Sequence, residues 1–132
     1  MKSSYIIREK LPQDQLALET MYHGIYPHPK LMPKITLVAE RESEVMGSVC
    51  ADFFDNDLYV FLASKRGHYS PFMAKRLIDA LDEVLKKAGA VGYFIVINKY
   101  HADARWLNLA YEFLPALGEY SDGSIFFVRT LK

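Results

Sequence analysis

The chain has 132 residues and carries 16 Lys+Arg against 16 Asp+Glu, a formal net charge of zero. At roughly 150 residues per domain this is one domain, and 51% hydrophobic with 24% charged residues excludes a disordered chain. The charge balance excludes nucleic-acid binding by bulk positive charge, and the single cysteine, Cys50, excludes an internal disulfide and a Cys-based zinc or iron–sulfur site.

Residues 5–8, with β-branched Ile6-Ile7, predict a short strand that ends at Leu11-Pro12. A helix then begins at Pro12, with Asp14 in its dipole-favoured first turn. Leu16, Thr20 and Tyr22, beside Leu18 and Met21, carry it to about His23. Pro27, Pro29 and Pro33 make 24–33 a loop. Three strands follow, 35–40, 45–52 and 58–62, separated by the polar turns 41–44 and 55–57. Turns this short join antiparallel neighbours. The third run is continuously apolar, as for a strand covered on both faces.

The period then changes. Ser70 can cap a helix whose first residue, Pro71, has no amide to waste. Met73, Leu77, Leu81, Val84, Leu85 and Ala88 follow at helical spacing, and Gly89 stops the helix. Residues 91–97 form a second buried strand, parallel to 58–62, because a helix of this length is a right-handed crossover. A further helix over 102–114 precedes Pro115, and 119–121 and 124–131 form a hairpin about Asp122-Gly123. The order is β-α-βββ-α-β-α-ββ. It predicts a single α/β domain over residues 1–132, a mixed sheet of about seven strands with helices on both faces.

The longest apolar stretch, 88–97, has ten residues including two glycines, short of the roughly 20 that span a bilayer. Residues 1–5 lack the apolar segment of a secretory signal, so the expected compartment is the cytoplasm, with no membrane partner. Phe, Tyr and Trp number 8, 9 and 1. A dense core accounts for so many rings, and an aromatic binding surface is the alternative.

Between strand 58–62 and the Ser70-Pro71 helix start lies Phe61-Leu62-Ala63-Ser64-Lys65-Arg66-Gly67. A basic, Gly-containing turn that feeds a helix offers free amides and a positive dipole end to an anion. With Asn98 and Ala110-Tyr111-Glu112-Phe113-Leu114, and with the element order, this segment resembles the GNAT acyltransferase superfamily over nearly the whole chain. The resemblance implies an N-acyltransferase moving an acetyl group from acetyl-coenzyme A, without a metal, to a small-molecule or protein amine. It implies a cofactor site at Leu62, Ala63, Lys65, Arg66, Gly67 and Asn98, with Tyr111 as the acid that protonates the leaving thiolate. The sequence departs from the family's loop at two small-residue positions, occupied here by Tyr69, which would crowd a diphosphate, and Pro71, which lacks an amide.

Glu40, Glu42 and Asp52 lie near strand ends, and nothing in the sequence selects a general base among them. His23, His28 and His101 are not paired at metal-ligand spacing. Cys50 has no local histidine partner and reads as core. Asn98, Arg105-Trp106-Leu107, Leu117-Gly118 and Asp122-Gly123 also resemble small GNAT-like proteins of tailed bacteriophages. That resemblance implies the alternative: a catalytically inactive virion or host-interaction component. It would bind a protein partner through exposed rings drawn from Tyr22, Tyr26, Tyr69, Tyr100 and Trp106.

Overall fold

The computed structural model describes residues 4–98, 116–119, 121 and 123–131. The helix expected over 102–114, with Tyr100, His101, Trp106 and Tyr111, lies outside them. The elements are β1 (Ile6–Glu9), a 3-10 turn (Pro12–Asp14), α1 (Gln15–Tyr22), β2 (Ile35–Arg41), β3 (Glu44–Phe54), β4 (Asp57–Ser64), α2 (Pro71–Lys87), β5 (Gly92–Asn98), β6 (Ala116–Glu119) and β7 (Ser124–Thr130). The strands form one seven-stranded sheet in the order β1-β2-β3-β4-β5-β7-β6. Every pairing is antiparallel except β4 with β5, which is parallel as the crossover through α2 requires.

Two-residue turns set the first hairpins. Glu42 and Ser43 have φ of 53° and 65°, and Asp55 and Asn56 have φ of 51° and 71°. Two consecutive positive φ values match the right-handed twist of the flanking strands. Asn56 accepts this conformation readily, whereas Glu42 is held in it by the pairing on either side.

Alternating residues divide the core between two layers. On one face Leu37, Val49, Leu62, Ile95 and Phe127 pack against Met73, Leu77, Leu81 and Leu85 of α2. On the other, Val38, Cys50 and Ala63 pack against Leu18 and Tyr22 of α1. Each fully buried leucine of α2 contributes roughly 1.5–3 kcal/mol. Ser70 caps the helix, its Oγ accepting from the Met73 amide at 3.3 Å. At the other end Gly89, at φ 88°, turns the chain while the Ala90 amide returns to the Leu85 carbonyl at 3.0 Å.

The structure corrects four expectations. Leu16 is 76% exposed, and α1 buries Leu18 and Tyr22 instead, one turn apart. Ala88 is exposed, because it forms the C-cap rather than the apolar stripe. The penultimate strand is Ala116–Glu119 rather than 119–121, and it joins β7 through a register shift between Ala116 and Gly118. Tyr22 and Tyr26 are buried, at 0% and 4% exposure, so they form no docking surface. Tyr22 donates to Ser48 Oγ at 2.9 Å, and Tyr26 donates to Asp52 Oδ2 at 2.7 Å. A ring with a satisfied hydroxyl can close the proline-rich loop over the sheet. No helix among the described residues is long and apolar enough to cross a membrane.

Candidate functional site

The ladder between β4 and β5 consists of Tyr59↔Phe94 and Val60↔Ile95. Its neighbours run further in the same direction. The β3–β4 ladder reaches Gly47↔Ser64, and the β5–β7 ladder reaches Asn98↔Ser124. The two central strands therefore part after Val60 and Ile95, each held by its outer neighbour. Four residues of β4, Phe61 to Ser64, border the gap over about 13 Å at the usual strand rise. The gap opens at the carboxyl ends of two parallel strands, the place where open α/β sheets take ligands.

At the mouth of this cleft the chain turns into α2. The Lys65 amide bonds the Met46 carbonyl at 2.8 Å, and the His68 amide closes onto the Lys65 carbonyl at 2.9 Å. Gly67 is at φ 79°, with nothing within 4 Å of where a Cβ would stand. Glycine suits that backbone, and open space lets a ligand approach it. The first turn of α2 is largely self-satisfied: Pro71 has no amide, Met73 bonds Ser70 Oγ, and Ala74 bonds the Ser70 carbonyl. The Phe72 amide, in the same turn, has no partner within the helix.

The expected cofactor residues fall into three groups. Arg66 and Gly67 are exposed at the turn. Lys65 is ion-paired to the Glu44 carboxylate across the sheet. Leu62 and Ala63 bury their side chains in opposite layers, so only their backbone borders the cleft. Asn98 ends β5 opposite Ser124, and Tyr111 lies outside the described residues. Tyr69 packs on the α2-side core and lines a separate cavity of about 440 Å³ with Tyr5 and Arg41. His68, Ser70 and Phe72 at the start of α2 line the same cavity.

On the α1 side a cavity of about 630 Å³ adjoins the same turn. Thr20, Met21 and His23 of the α1 end face Glu44, Ser64 and Arg66 across it. The acids singled out in the sequence stand elsewhere. Glu40 accepts from Arg8 Nε at 3.0 Å, Asp52 holds Tyr26, and Glu42 is exposed in its turn. Glu44 was the missed acid, and the turn carried the signal for it. A two-residue turn at Asp55-Asn56 makes paired positions sum to 111, as Phe54↔Asp57 and Gly47↔Ser64 do. Counting on brings Glu44 beside the basic turn. Cys50 is fully buried, and burial pushes its thiol up to about 12. Among the described residues no group of three or more His, Cys, Asp and Glu could hold a metal.

No family model matches the chain, and no curated protein is similar to it. Solved structures are. An N-acetyltransferase from Staphylococcus aureus Mu50 superposes with a TM-score of 0.75 at 15% identity, over 98% of this chain and 100% of that one. The fold is the GNAT fold. A GNAT superfamily phosphinothricin acetyltransferase from Sinorhizobium meliloti, in complex with acetyl-CoA, gives 0.74 at 16% identity, covering 98% and 89%. The PaiA N-acetyltransferase from Thermoplasma acidophilum, in complex with coenzyme A, gives 0.69 at 13%, covering 97% and 99%. Seven strands in this order, with one parallel pair that splays, make up the GNAT sheet of this chain.

Proposed function

We propose that the chain is an N-acyltransferase that moves an acetyl group from acetyl-coenzyme A to an amine. The observation that carries this reading is the β4–β5 ladder that stops at Val60↔Ile95 above the Arg66-Gly67 turn. A pantetheine arm, thin and carrying two amides, matches a cleft walled by unpaired strand edge. The diphosphate at its end matches the turn, with Arg66 and the Arg66, Gly67 and Phe72 amides as donors. The acceptor enters from the α1 side, where the second cavity meets the same strand end.

In the transfer, the amine nitrogen attacks the thioester carbonyl, the C–S bond breaks, and the amide forms. The amine gives up one proton and the departing thiolate takes one. Tyr111 is assigned the second proton by its place in the Tyr-Glu-x-Leu segment. Lys65, Leu62, Ala63 and Asn98 complete the donor site, with Leu62 and Ala63 acting through their backbone. Calorimetric titration of acetyl-CoA tests the proposal. Saturable heat at submillimolar ligand is expected, and no heat overturns it.

A second reading has one observation in its favour. Ser70 and Pro71 leave α2 with a single uncommitted first-turn amide, which weakens the anion site relative to an uncapped helix. A chain that keeps the fold without the chemistry would show no binding in the same titration.

A further inference from the structure

The cavity of about 630 Å³ between the end of α1 and the basic turn falls within the roughly 300–1,000 Å³ of small-ligand pockets. Its walls carry two kinds of surface. Met21 of α1, Ile25 just beyond it and Val45 of β3 pack on the α1-side core yet stay half-buried, so part of their apolar surface is left to line the cavity. The charged groups stand together: Glu44, its ion-pair partner Lys65, and exposed Arg66.

Charge decides what fits. Glu44 is the one carboxylate among the described lining residues, against two cations, and His23 adds to their sign when protonated. An arriving ammonium can share the Glu44 carboxylate with Lys65, since two carboxylate oxygens accept several donors. A second ammonium on the same molecule would meet two cations and no further acid. A hydrocarbon body is favoured by each methylene that the apolar walls take out of water.

We infer that the acceptor is a small primary monoamine with an apolar body, its ammonium seated at Glu44 and its hydrocarbon chain on Met21, Ile25 and Val45. The inference rests on the acetyl-transfer reading above and names the amine that reading leaves open. Acetylation removes the charge that Glu44 holds. The ammonium gives one proton to the medium, a second goes to the departing thiolate, and the neutral amide is no longer attracted to the acid. The contact that selects the substrate thus also releases the product.

The test is a matched series of six-carbon amines, hexylamine, 1,6-diaminohexane and 6-aminohexanoate, with butylamine and trialanine beside them. Release of free thiol from acetyl-CoA gives kcat/KM for each. Hexylamine is expected to exceed the diamine by at least about tenfold, and butylamine by about fourfold per methylene. It is also expected to exceed 6-aminohexanoate and trialanine. Equal or faster reaction of the diamine, the amino acid or the peptide overturns the inference, as does no gain from butylamine to hexylamine. Met21→Glu places a second acid in the cavity and is expected to lower the ratio of hexylamine to diamine. An unchanged ratio overturns the inference, and the wild-type series decides alone if that variant does not fold. A wild type that binds acetyl-CoA in calorimetry yet acetylates none of the series also overturns it. A wild type that takes no acetyl-CoA overturns the proposed function instead, a separate result.

Discussion

Tyr93 of β5 donates a 2.8 Å hydrogen bond to Asp82 Oδ1 on α2, and both side chains are buried. The other carboxylate oxygen is held by Arg129 of β7, from Nε at 2.8 Å and from the terminal nitrogen at 2.7 Å. One acid thus ties the crossover helix to β5, which borders the cleft, and to β7 beside it. Burial, with Asp82 beside it, pushes the Tyr93 phenol well above its usual range, so it stays a donor at all physiological pH.

Removing Asp82 strands a partly buried arginine and a buried phenol. Asp82→Ala is expected to lose about 3–5 kcal/mol of unfolding free energy. Tyr93→Phe removes one bond to a charged acceptor and should lose about 1.5–3 kcal/mol. Urea denaturation of the three proteins checks both. A loss for Asp82→Ala no larger than for Tyr93→Phe would mean the Arg129 pair contributes nothing.

A second ion cluster pins β1, the 3-10 turn and β2. Arg8 reaches Asp14 at 2.7 Å and Glu40 at 2.8 Å, and Asp14 also accepts the Leu11 amide at 2.7 Å. The Arg8 guanidinium, and then the Leu11 amide, hold the Asp14 carboxyl below its ordinary value. A depressed folded-state value contributes stability above the unfolded-state value, near 4, and that stability is lost as pH falls through the folded one. The melting temperature should therefore drop on acidification below about pH 4. Asp14→Asn should be less stable at pH 7 and should show a shallower acid limb in the same pH series.

Arg66 and Lys65 are adjacent cations with different duties. Lys65 is already paired to Glu44 at the surface, whereas Arg66 is exposed at the cleft mouth. Arg66→Ala should weaken acetyl-CoA by about 1.5–3 kcal/mol, the worth of a charge-assisted contact. Lys65→Ala should cost under about 1 kcal/mol, since its surface pair is worth little. The reverse ranking in calorimetry would move the phosphate site to the Glu44 side.

Tyr111→Phe should lower turnover and leave acetyl-CoA affinity within about twofold, because a general acid acts on the leaving group rather than on the bound donor. Release of free thiol from acetyl-CoA in the presence of amine follows the rate. Equal turnover by the two proteins would clear Tyr111 of the role.

The sequence displayed the strands and their partners because alternation, two-residue turns and the Ser70-Pro71 start are local signals. The parting of β4 from β5 is not local. Phe61 to Ala63 continue the apolar run without a break, although the ladder toward β5 has already stopped at Val60. Edges hydrogen-bond through backbone, which no side-chain pattern records. Leu16 misled for the opposite reason: a helix of eight residues has too few turns for its spacing to distinguish Leu16 from Leu18. At the site, the basic turn was legible from residue type. The approach of Glu44 to Lys65 depends on the β3–β4 register, which only counting from the turn reveals.

The notch between β4 and β5 also bears on association. Unpaired strand edges ordinarily recruit strands from other molecules and seed aggregation. Here the open edges lie inside the sheet and face one another across a gap that closes at Val60↔Ile95. A foreign strand with side chains on both faces would meet the pair where it converges, whereas a slim unbranched chain would not. On the proposed function, such a notch suits a slim guest better than the strand of another copy.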